Sequence, residues 1–237
     1  MQTRAVANVG TPWSLAEHYA NNLIMDIEKY RTLIQNLPYL DQSFIPHKSR
    51  WVKILYQSKL LYNLDEFAFE KGYSREDLLN MPVSKEKVIK MLMWGYPIGG
   101  RGRNISNLLS STDRIVEILS VVYGQECDRQ NIFYIIKELD SLNGMGRSTW
   151  SKLLYFNRTT FEGIPLLILD QKIERAVHKQ IINDVKFPSF ENATDVNSYL
   201  EYLQSSSILA RKLKVVPDSL ELFFFMFADV FRLGNVG

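Results

Sequence analysis

The chain has 237 residues, a hydrophobic fraction of 46% and a formal net charge of +2 at pH 7. This length and composition suit one large domain or two smaller lobes, and the weak charge requires any DNA-binding surface to be local. With 12 glycines and 8 prolines, the chain favours helices over a loop-rich β fold. The single cysteine excludes a disulfide framework and a four-cysteine iron–sulfur cluster, and three scattered histidines suggest no metal site.

The sequence carries no signal for a membrane or a secretory route. Its first ten residues lack the apolar core of a signal segment, and no apolar run approaches the length that spans a bilayer. We therefore expect a cytoplasmic protein that works as a monomer and without a cofactor.

Helical periodicity dominates the chain, and polar capping residues stand at many of the helix starts. No strand signal exceeds short ambiguous runs such as residues 165–169. The predicted helices are, in chain order, Pro12 to about Gln35, Trp51 to Leu61, a short helix opened by a Ser74–Asp77 capping box, one starting near Ser84, one from Ser110 or Ser111 to Val122, Asp128 to Leu142, Arg147 to Phe156, Asp170 through Ile181, Asp195 to about Lys214, and one starting at Pro217 or Asp218.

A glycine-rich stretch, WGYPIGGRGRN at residues 94–104, interrupts this pattern. Since no strand precedes it, it does not fit a dinucleotide-binding loop. Two interpretations stay open, a solvated connection and a loop that contacts DNA. In the second, the side chains on phosphates or an orphaned base are Arg101, Arg103 and Asn104, and the stacking residues of a base pocket are Trp94 and Tyr96.

The stretch 142–170, LNGMGRSTWSKLLYFNRTTFEGIPLLILD, combines a helix end, a glycine hairpin, a second helix, an apolar run and a lone carboxylate. Gly144 and Gly146 precede the second helix, where free backbone N–H groups suit a phosphate. Ser148 or Thr149 is the expected capping residue of that helix. An ordinary helix–helix turn would contain the same glycines, so the hairpin alone does not define a function.

Taken together, the hairpin and the carboxylate resemble the helix-hairpin-helix DNA glycosylase superfamily, which is named for its hairpin, its Gly/Pro-rich loop and its Asp. The resemblance extends from Asp128 to Lys179, and the rest of the chain agrees only in being helical. The matching residues are Leu142, Gly144, Gly146, Arg147, Ser148 and Thr149 in the hairpin, Gly163 and Pro165 in the loop, and Ile168, Leu169 and Asp170 at its end.

This resemblance implies an all-α fold of two helical lobes with a cleft between them. The central lobe would span 51–150, the second lobe 1–50 plus 183–237, and the hairpin and catalytic loop, 142–170, would lie between the two. It also implies an enzyme that flips a modified base out of double-stranded DNA and hydrolyses its N-glycosidic bond, leaving an abasic site. The implied DNA-binding residues are Gly144, Met145, Gly146, Arg147, Ser148 and Thr149. Independently of the resemblance, the helix after Asp170 carries a basic stripe of Lys172, Arg175 and Lys179, for which two interpretations stay open, a face that binds DNA and a solvated charged face.

Asp170 is the implied catalytic carboxylate, which would stabilise positive charge on the sugar as the base departs. Its alternative role is a helix N-cap. Ser148 stands where lyase-competent members carry the lysine that forms a Schiff base, so we expect a monofunctional enzyme. Lys152, one helical turn further on, is the only candidate to replace that lysine. We expect it to be a solvent-exposed helix residue instead.

The identity of the excised base is not readable from these residues. The make-up of the chain resembles small bacterial proteins with an 8-oxoguanine-glycosylase fold. We favour a hypermodified base in invading phage DNA, excised in antiviral defence. The alternatives are repair of an oxidised purine such as 8-oxoguanine in host DNA, and a DNA-binding protein without catalytic activity.

Overall fold

The computed structural model describes residues 26–60, 67, 69–100, 102–191 and 195–233. In this part of the chain there are eleven α-helices and seven two-residue strands. The helices are α1 (Arg31–Gln35), α2 (Lys48–Gln57), α3 (Arg75–Asn80), α4 (Lys85–Gly95), α5 (Asn104–Ser110), α6 (Thr112–Val121), α7 (Arg129–Asp140), α8 (Arg147–Phe156), α9 (Gln171–Val177), α10 (Val196–Leu213) and α11 (Pro217–Leu233).

The strands form three small sheets, which contain four strand pairings. They are β1 (Ser43–Phe44) antiparallel to β2 (Tyr73–Ser74), β3 (Glu126–Cys127) parallel to β4 (Thr160–Phe161), β4 antiparallel to β5 (Ile164–Pro165), and β6 (Ile181–Ile182) antiparallel to β7 (Val185–Lys186). The predicted mainly helical fold is thus confirmed. Most of the predicted first helix, and Arg101 of the glycine-rich stretch, lie outside the described residues.

Side-chain caps fix several of the predicted helix starts. Ser74 forms a capping box with Asp77 at α3, and Ser84 accepts a hydrogen bond from the third residue of α4. Asp128 accepts a hydrogen bond from the third residue of α7, and Asp195 accepts one from the second residue of α10. These bonds satisfy N–H groups that have no partner inside the helix, which is why the polar residue marks the start.

The predicted extension of α9 through Ile181 is wrong. The helix ends at Val177, and Lys179 adopts a left-handed conformation with φ of 54°. The chain then enters the β6–β7 hairpin, whose turn residues Asn183 and Asp184 also have positive φ. Two positive φ values in a two-residue turn match the twist of a β-hairpin, so this local turn prevails over the helical periodicity.

Nearly all the buried hydrophobic side chains of the described residues form one cluster. Within it α4 packs against α8, α9 packs against α11, and α11 also contacts α10. This packing brings the end of α4, the body of α8 and the start of α9 together with α11, although these elements are far apart in sequence. The division into two lobes stays a prediction. None of the described helices combines the length and apolarity needed to cross a lipid bilayer.

Candidate active site

The apolar run before α9 is buried and held from two sides. Tyr199 and Tyr202 of α10 donate hydrogen bonds from their hydroxyls to the carbonyls of residues 167 and 168, at 2.8 and 3.1 Å. Ser151 of α8 accepts a hydrogen bond from the N–H of residue 169 at 3.1 Å. Because three consecutive backbone positions are fixed, the carboxylate of Asp170 that follows them is fixed relative to α8 and α10.

Asp170 is the N-cap of α9. Its Oδ1 accepts hydrogen bonds from the backbone N–H groups of Lys172 and Ile173, at 2.9 and 3.1 Å. Its Oδ2 has no hydrogen-bond partner in the described part of the chain, and the residue is partly exposed. The two roles considered for Asp170 are therefore compatible, since one oxygen holds the helix and the other is available to a ligand.

The expectation of a solvent-exposed Lys152 is wrong, because its side chain is only 7% exposed. Its Nζ donates hydrogen bonds to the carbonyl and the hydroxyl of Ser148, at 2.9 and 2.6 Å. Gly95 at the end of α4 makes room for it, since a Cβ there would lie 3.0 Å from Lys152 Cδ. Burial lowers the pKa of Lys152, while the carboxylates of Asp170 and Glu221 act in the opposite direction.

Lys152 and Asp170 line the same cavity, of about 130 Å³, which we call the Lys152–Asp170 cavity. Trp94, one of the two predicted base-pocket residues, is buried in its wall and donates its indole N–H to the carbonyl of Gln42 at 3.3 Å. The remaining lining residues are Gln42, Phe44, Arg75, Gly95, Pro97, Ile168, Glu221 and Phe225.

A buried ion pair forms one side of this cavity. Arg75 and Glu221 are each 1% exposed and make two hydrogen bonds, at 2.7 and 3.1 Å. The Nε of Arg75 also donates to Oε1 of Gln42 at 2.6 Å, and its guanidinium carbon lies 5.6 Å from the centre of the Trp94 ring. Burial raises the pKa of Glu221, and Arg75 opposes that effect.

The sequence contains one signal for this ion pair, an acid within the phenylalanine-rich α11. A buried carboxylate needs a charged or hydrogen-bonding partner. The partner was not readable, because 146 positions separate Arg75 from Glu221.

The two hairpin glycines serve different purposes. Gly144 has φ of +90°, and a Cβ there would lie 2.7 Å from the carbonyl oxygen of Asn104, so the hairpin packs directly on the start of α5. Gly146 has extended backbone, with φ of −158°, and no described atom lies within 4 Å of a Cβ added to it. Nothing within the described protein thus requires glycine at position 146, and its free space is available to a ligand.

Gly146 is also the N-cap of α8, and α8 has no side-chain capping bond. The prediction that Ser148 or Thr149 caps this helix is therefore wrong. A helix start without a capping side chain leaves N–H groups of the first turn to water or to an anion. This hairpin geometry suits a phosphate, as the sequence pattern indicated.

Two predicted DNA-contacting side chains at the hairpin point into the protein. Arg147 is 8% exposed, pairs with Glu174 at 2.9 Å and lies over the ring of Phe190. Thr149 is buried, and its hydroxyl is hydrogen-bonded to that of Tyr96. These side chains secure the hairpin to α9 and α4, which leaves the backbone of both residues as the part that can contact DNA. Their place in the DNA interface stays a prediction. Met145 packs partly buried against the core.

Tyr96, the other predicted base-pocket residue, lines a second cavity rather than the Lys152–Asp170 cavity, and its role in binding a base stays a prediction. We call this second cavity, of about 600 Å³, the hairpin groove. It is lined by Gly95, Tyr96, Pro97, Ile98, Gly100, Asn104, Ile105, Leu108, Gly144 and Gln171.

Three predicted DNA-contacting residues remain exposed near these cavities. Arg103 and Asn104 stand at the start of α5, where α5 meets the hairpin. Lys172 stands in the first turn of α9, with its Nζ 4.9 Å from the centre of the Phe225 ring. Because Phe225 lines the Lys152–Asp170 cavity, Lys172 lies close to the cavity edge.

The described residues thus form a mainly helical protein in which a glycine hairpin precedes α8 and a carboxylate caps α9. Residues 38–225 match the model of the family described as "Putative 8-oxoguanine DNA glycosylase OGG-like protein". Since the match covers most of the chain, the protein belongs to this family. No match was found among curated proteins or among solved structures. The prediction of a DNA glycosylase is thus confirmed at the level of this family, and the assignment to the helix-hairpin-helix superfamily stays a prediction.

Proposed function

We propose that this protein is a DNA glycosylase that excises an oxidised purine, with 8-oxoguanine as the first candidate, from double-stranded DNA. The observation that carries the proposal is one cavity that holds both a buried amine, Lys152, and a carboxylate, Asp170. The family description supports the substrate class. It favours the repair alternative over the hypermodified phage base that the resemblance suggested.

The cavity is suited to an aromatic ring. Phe44, Trp94 and Phe225 contribute apolar faces, and Arg75 with Glu221 contributes a fixed polar side. A cavity of about 150 Å³ holds one benzene molecule, so a cavity of this size accepts about one ring of a purine. The second ring then occupies the mouth, beside the partly exposed rings of Phe44 and Phe225.

Asp170 supplies electrostatic stabilisation. When the N-glycosidic bond breaks, positive charge develops at C1′ of the sugar, and a fixed carboxylate favours that state over the neutral ground state. At about 4 Å and an effective dielectric constant of about 20, this interaction is worth on the order of 4 kcal/mol. Enzymes usually lower the barrier by about 8 kcal/mol or more. A second group is therefore needed beside Asp170.

Lys152 provides that second group as a nucleophile. An uncharged amine has two hydrogens and one lone pair, and the two hydrogen bonds to Ser148 use both hydrogens. The lone pair is then free to attack C1′. Burial favours the uncharged form, because it lowers the pKa of the amine.

The proposed reaction needs no cofactor. The bond from Nζ to C1′ forms while the bond from C1′ to the base breaks, and the base leaves with that electron pair and takes a proton from the amine. Opening of the sugar ring then gives an imine at C1′ and a hydroxyl at C4′. Loss of a proton from C2′ expels the 3′-phosphate, which cuts the strand. The expectation of a monofunctional enzyme rests on two points, that Ser148 stands where lyase-competent members carry the lysine and that Lys152 is expected to be exposed. Since Lys152 is buried beside Asp170, we replace that expectation with a bifunctional enzyme.

The test uses duplexes that carry 8-oxoguanine, an undamaged guanine or a hypermodified phage-type base at one position. We expect release of 8-oxoguanine, identified by mass spectrometry, strand cutting without alkali, and a covalent protein–DNA complex after borohydride treatment. Release of only the hypermodified base would restore the phage alternative. Binding without release from any duplex would favour the non-catalytic DNA-binding protein.

A further inference from the structure

The turn after α4 separates the two cavities. Gly95 and Pro97 line both the Lys152–Asp170 cavity and the hairpin groove. The groove is also lined by Ile98 and by Gln171, the residue that directly follows Asp170. Ile98 therefore stands beside the ridge between the cavity that would hold a flipped base and the groove that borders the phosphate-binding hairpin.

Ile98 is 62% exposed, although its backbone is firmly held. The N–H of His47 donates to the carbonyl of Pro97 at 2.7 Å, and Arg50 donates to the carbonyl of Ile98 itself at 3.2 Å. The indole of Trp51 donates to the carbonyl of Tyr96 at 3.0 Å. These bonds from α2 and its start fix the two residues before the exposed side chain and the backbone of Ile98 itself.

The glycines that follow confirm how closely this turn packs. A Cβ on Gly99 would lie 2.7 Å from Ile54 Cδ1, and a Cβ on Gly100 would lie 2.7 Å from Ile105 Cγ1. The turn therefore rests directly on α2 and α5 and cannot swing away without losing that packing. A large apolar side chain on such a turn is presented to solvent at a fixed place.

We propose that Ile98 inserts into the DNA duplex at the position that the flipped nucleotide vacates. This inference rests on the proposed function. Flipping leaves the neighbouring bases unstacked, and apolar side chains inserted between bases compensate for lost stacking. Such a side chain must lie next to the cavity that takes the base and next to the phosphate anchor, and Ile98 meets both conditions.

An exposed isoleucine is by itself common on protein surfaces. We call a side chain that inserts in this way a wedge. What distinguishes a wedge is that its effect on the rate of base release depends on how well the target base is stacked and paired. Replacing Ile98 should therefore matter most for a paired lesion and least for a lesion opposite an abasic site, where extrusion is already easier.

The experiment compares Ile98→Ala with the control Ile208→Ala, which truncates an exposed isoleucine of α10 that lines neither cavity. Single-turnover base release is measured from a duplex with 8-oxoguanine opposite cytosine and from one with 8-oxoguanine opposite an abasic site. We expect Ile98→Ala to slow release from the paired duplex about tenfold, and to slow it far less from the other. Ile208→Ala should change neither rate, and Ile98→Phe should recover much of the loss.

A second readout is the fluorescence of 2-aminopurine at the target position, which rises when the base leaves the stack. Because this signal needs no bond cleavage, it decides the role of Ile98 even if the parent protein releases no base. A smaller rise with Ile98→Ala than with the parent and Ile208→Ala supports the wedge. Equal signals in all three proteins, no rise with the parent, or equal slowing on both duplexes would overturn it. Failure of the parent to release base would count against the proposed function alone.

Discussion

Two buried lysines show how differently one residue type is used in this molecule. Lys87 of α4 is 1% exposed, and its Nζ donates to the carbonyl of Met81, the residue that directly follows α3, at 2.8 Å. Burial lowers its pKa to about 8, and the nearby Arg158 acts in the same direction. Lys152 of α8 is also buried and its pKa is also lowered, but it lines a cavity beside Asp170.

The comparison teaches that a lowered pKa does not by itself identify a reactive lysine, because structural positions perturb pKa values as well. What separates the two is the charge of the neighbours and the access to a ligand. Lys87 faces a like charge, Arg158, and its amine donates a hydrogen bond to the carbonyl at the C-terminal end of α3. Lys152 also has a like charge nearby, Arg75, but the carboxylates of Asp170 and Glu221 outweigh it, and the amine lines a cavity.

The largest expected effect comes from removing the carboxylate charge beside Lys152. Asp170→Asn keeps an oxygen that can cap α9, so it removes charge and little else. We expect base release to fall on the order of a thousandfold, the equivalent of about 4 kcal/mol, with DNA affinity nearly unchanged. Single-turnover release and a binding titration measure the two quantities.

The matched control for this change is Asp128→Asn, which alters the N-cap of α7 in the same chemical way. It should leave the rate of base release unaffected. A parent-like rate in Asp170→Asn, or an equal loss in Asp128→Asn, would show that Asp170 serves only as a cap.

The next effect tests the two lysines directly. Lys152→Ala should lose the borohydride-trapped complex and strand cutting, and base release should fall roughly a hundredfold because water must replace the amine. Lys87→Met, which removes the other buried amine, should keep all three activities. Trapping that survives in Lys152→Ala, or that disappears in Lys87→Met, would contradict the distinction drawn between the two sites.

The proposed role of Lys152 as a nucleophile also predicts how borohydride trapping depends on pH. Attack requires the uncharged amine, so trapping should increase with pH and level off below the usual lysine pKa, because burial lowers the pKa of Lys152. The Asp170 carboxylate raises this pKa, since it favours the charged amine. In Asp170→Asn the rise in residual trapping should therefore move to lower pH. A shift to higher pH would be incompatible with an amine that senses Asp170.

A smaller effect, on DNA affinity, is expected at the hairpin that precedes α8, the helix of Lys152. Gly146→Val places a branched side chain in open space on extended backbone, so the fold should tolerate it. If a phosphate occupies this space, all DNA sequences should bind more weakly to the variant. The slope of log affinity against log salt concentration should become shallower by the contribution of about one phosphate contact. Gly146→Ala should give an intermediate result. An unchanged salt slope in a folded Gly146→Val protein would remove the hairpin from the interface.

The sequence revealed the parts of this site that are local. The hairpin glycines, the apolar run and Asp170 lie within one stretch, so their order alone indicated a helix-hairpin-helix and a carboxylate at a helix start. It did not reveal the environment of Lys152, because that depends on Gly95 of α4 and on carboxylates from two other helices. Nor did it distinguish Gly144 from Gly146, whose different roles depend on whether α5 approaches from outside the stretch.

The smallest expected effect concerns stability at Lys87. The pKa of Lys87 is lower in the folded state, about 8, than in the unfolded chain, about 10.5, so the charged amine destabilises the fold. That penalty is fully present below pH 8 and fades as the pH rises from 8 towards 10.5, because in this window the unfolded chain binds more protons.

Lys87→Met removes this titration. The free energy of unfolding of the parent, taken relative to that of Lys87→Met, should therefore rise by about 2 kcal/mol between pH 7.5 and pH 10, an amount that allows for partial solvent screening. Urea denaturation of both proteins at several pH values measures the difference and cancels the titration of other groups. The lost hydrogen bond to the Met81 carbonyl shifts the difference by a constant and does not affect its slope. If this difference in the free energy of unfolding does not change with pH, Lys87 is solvated like a surface lysine. The two lysines would then differ in burial and not in the charges of their neighbours.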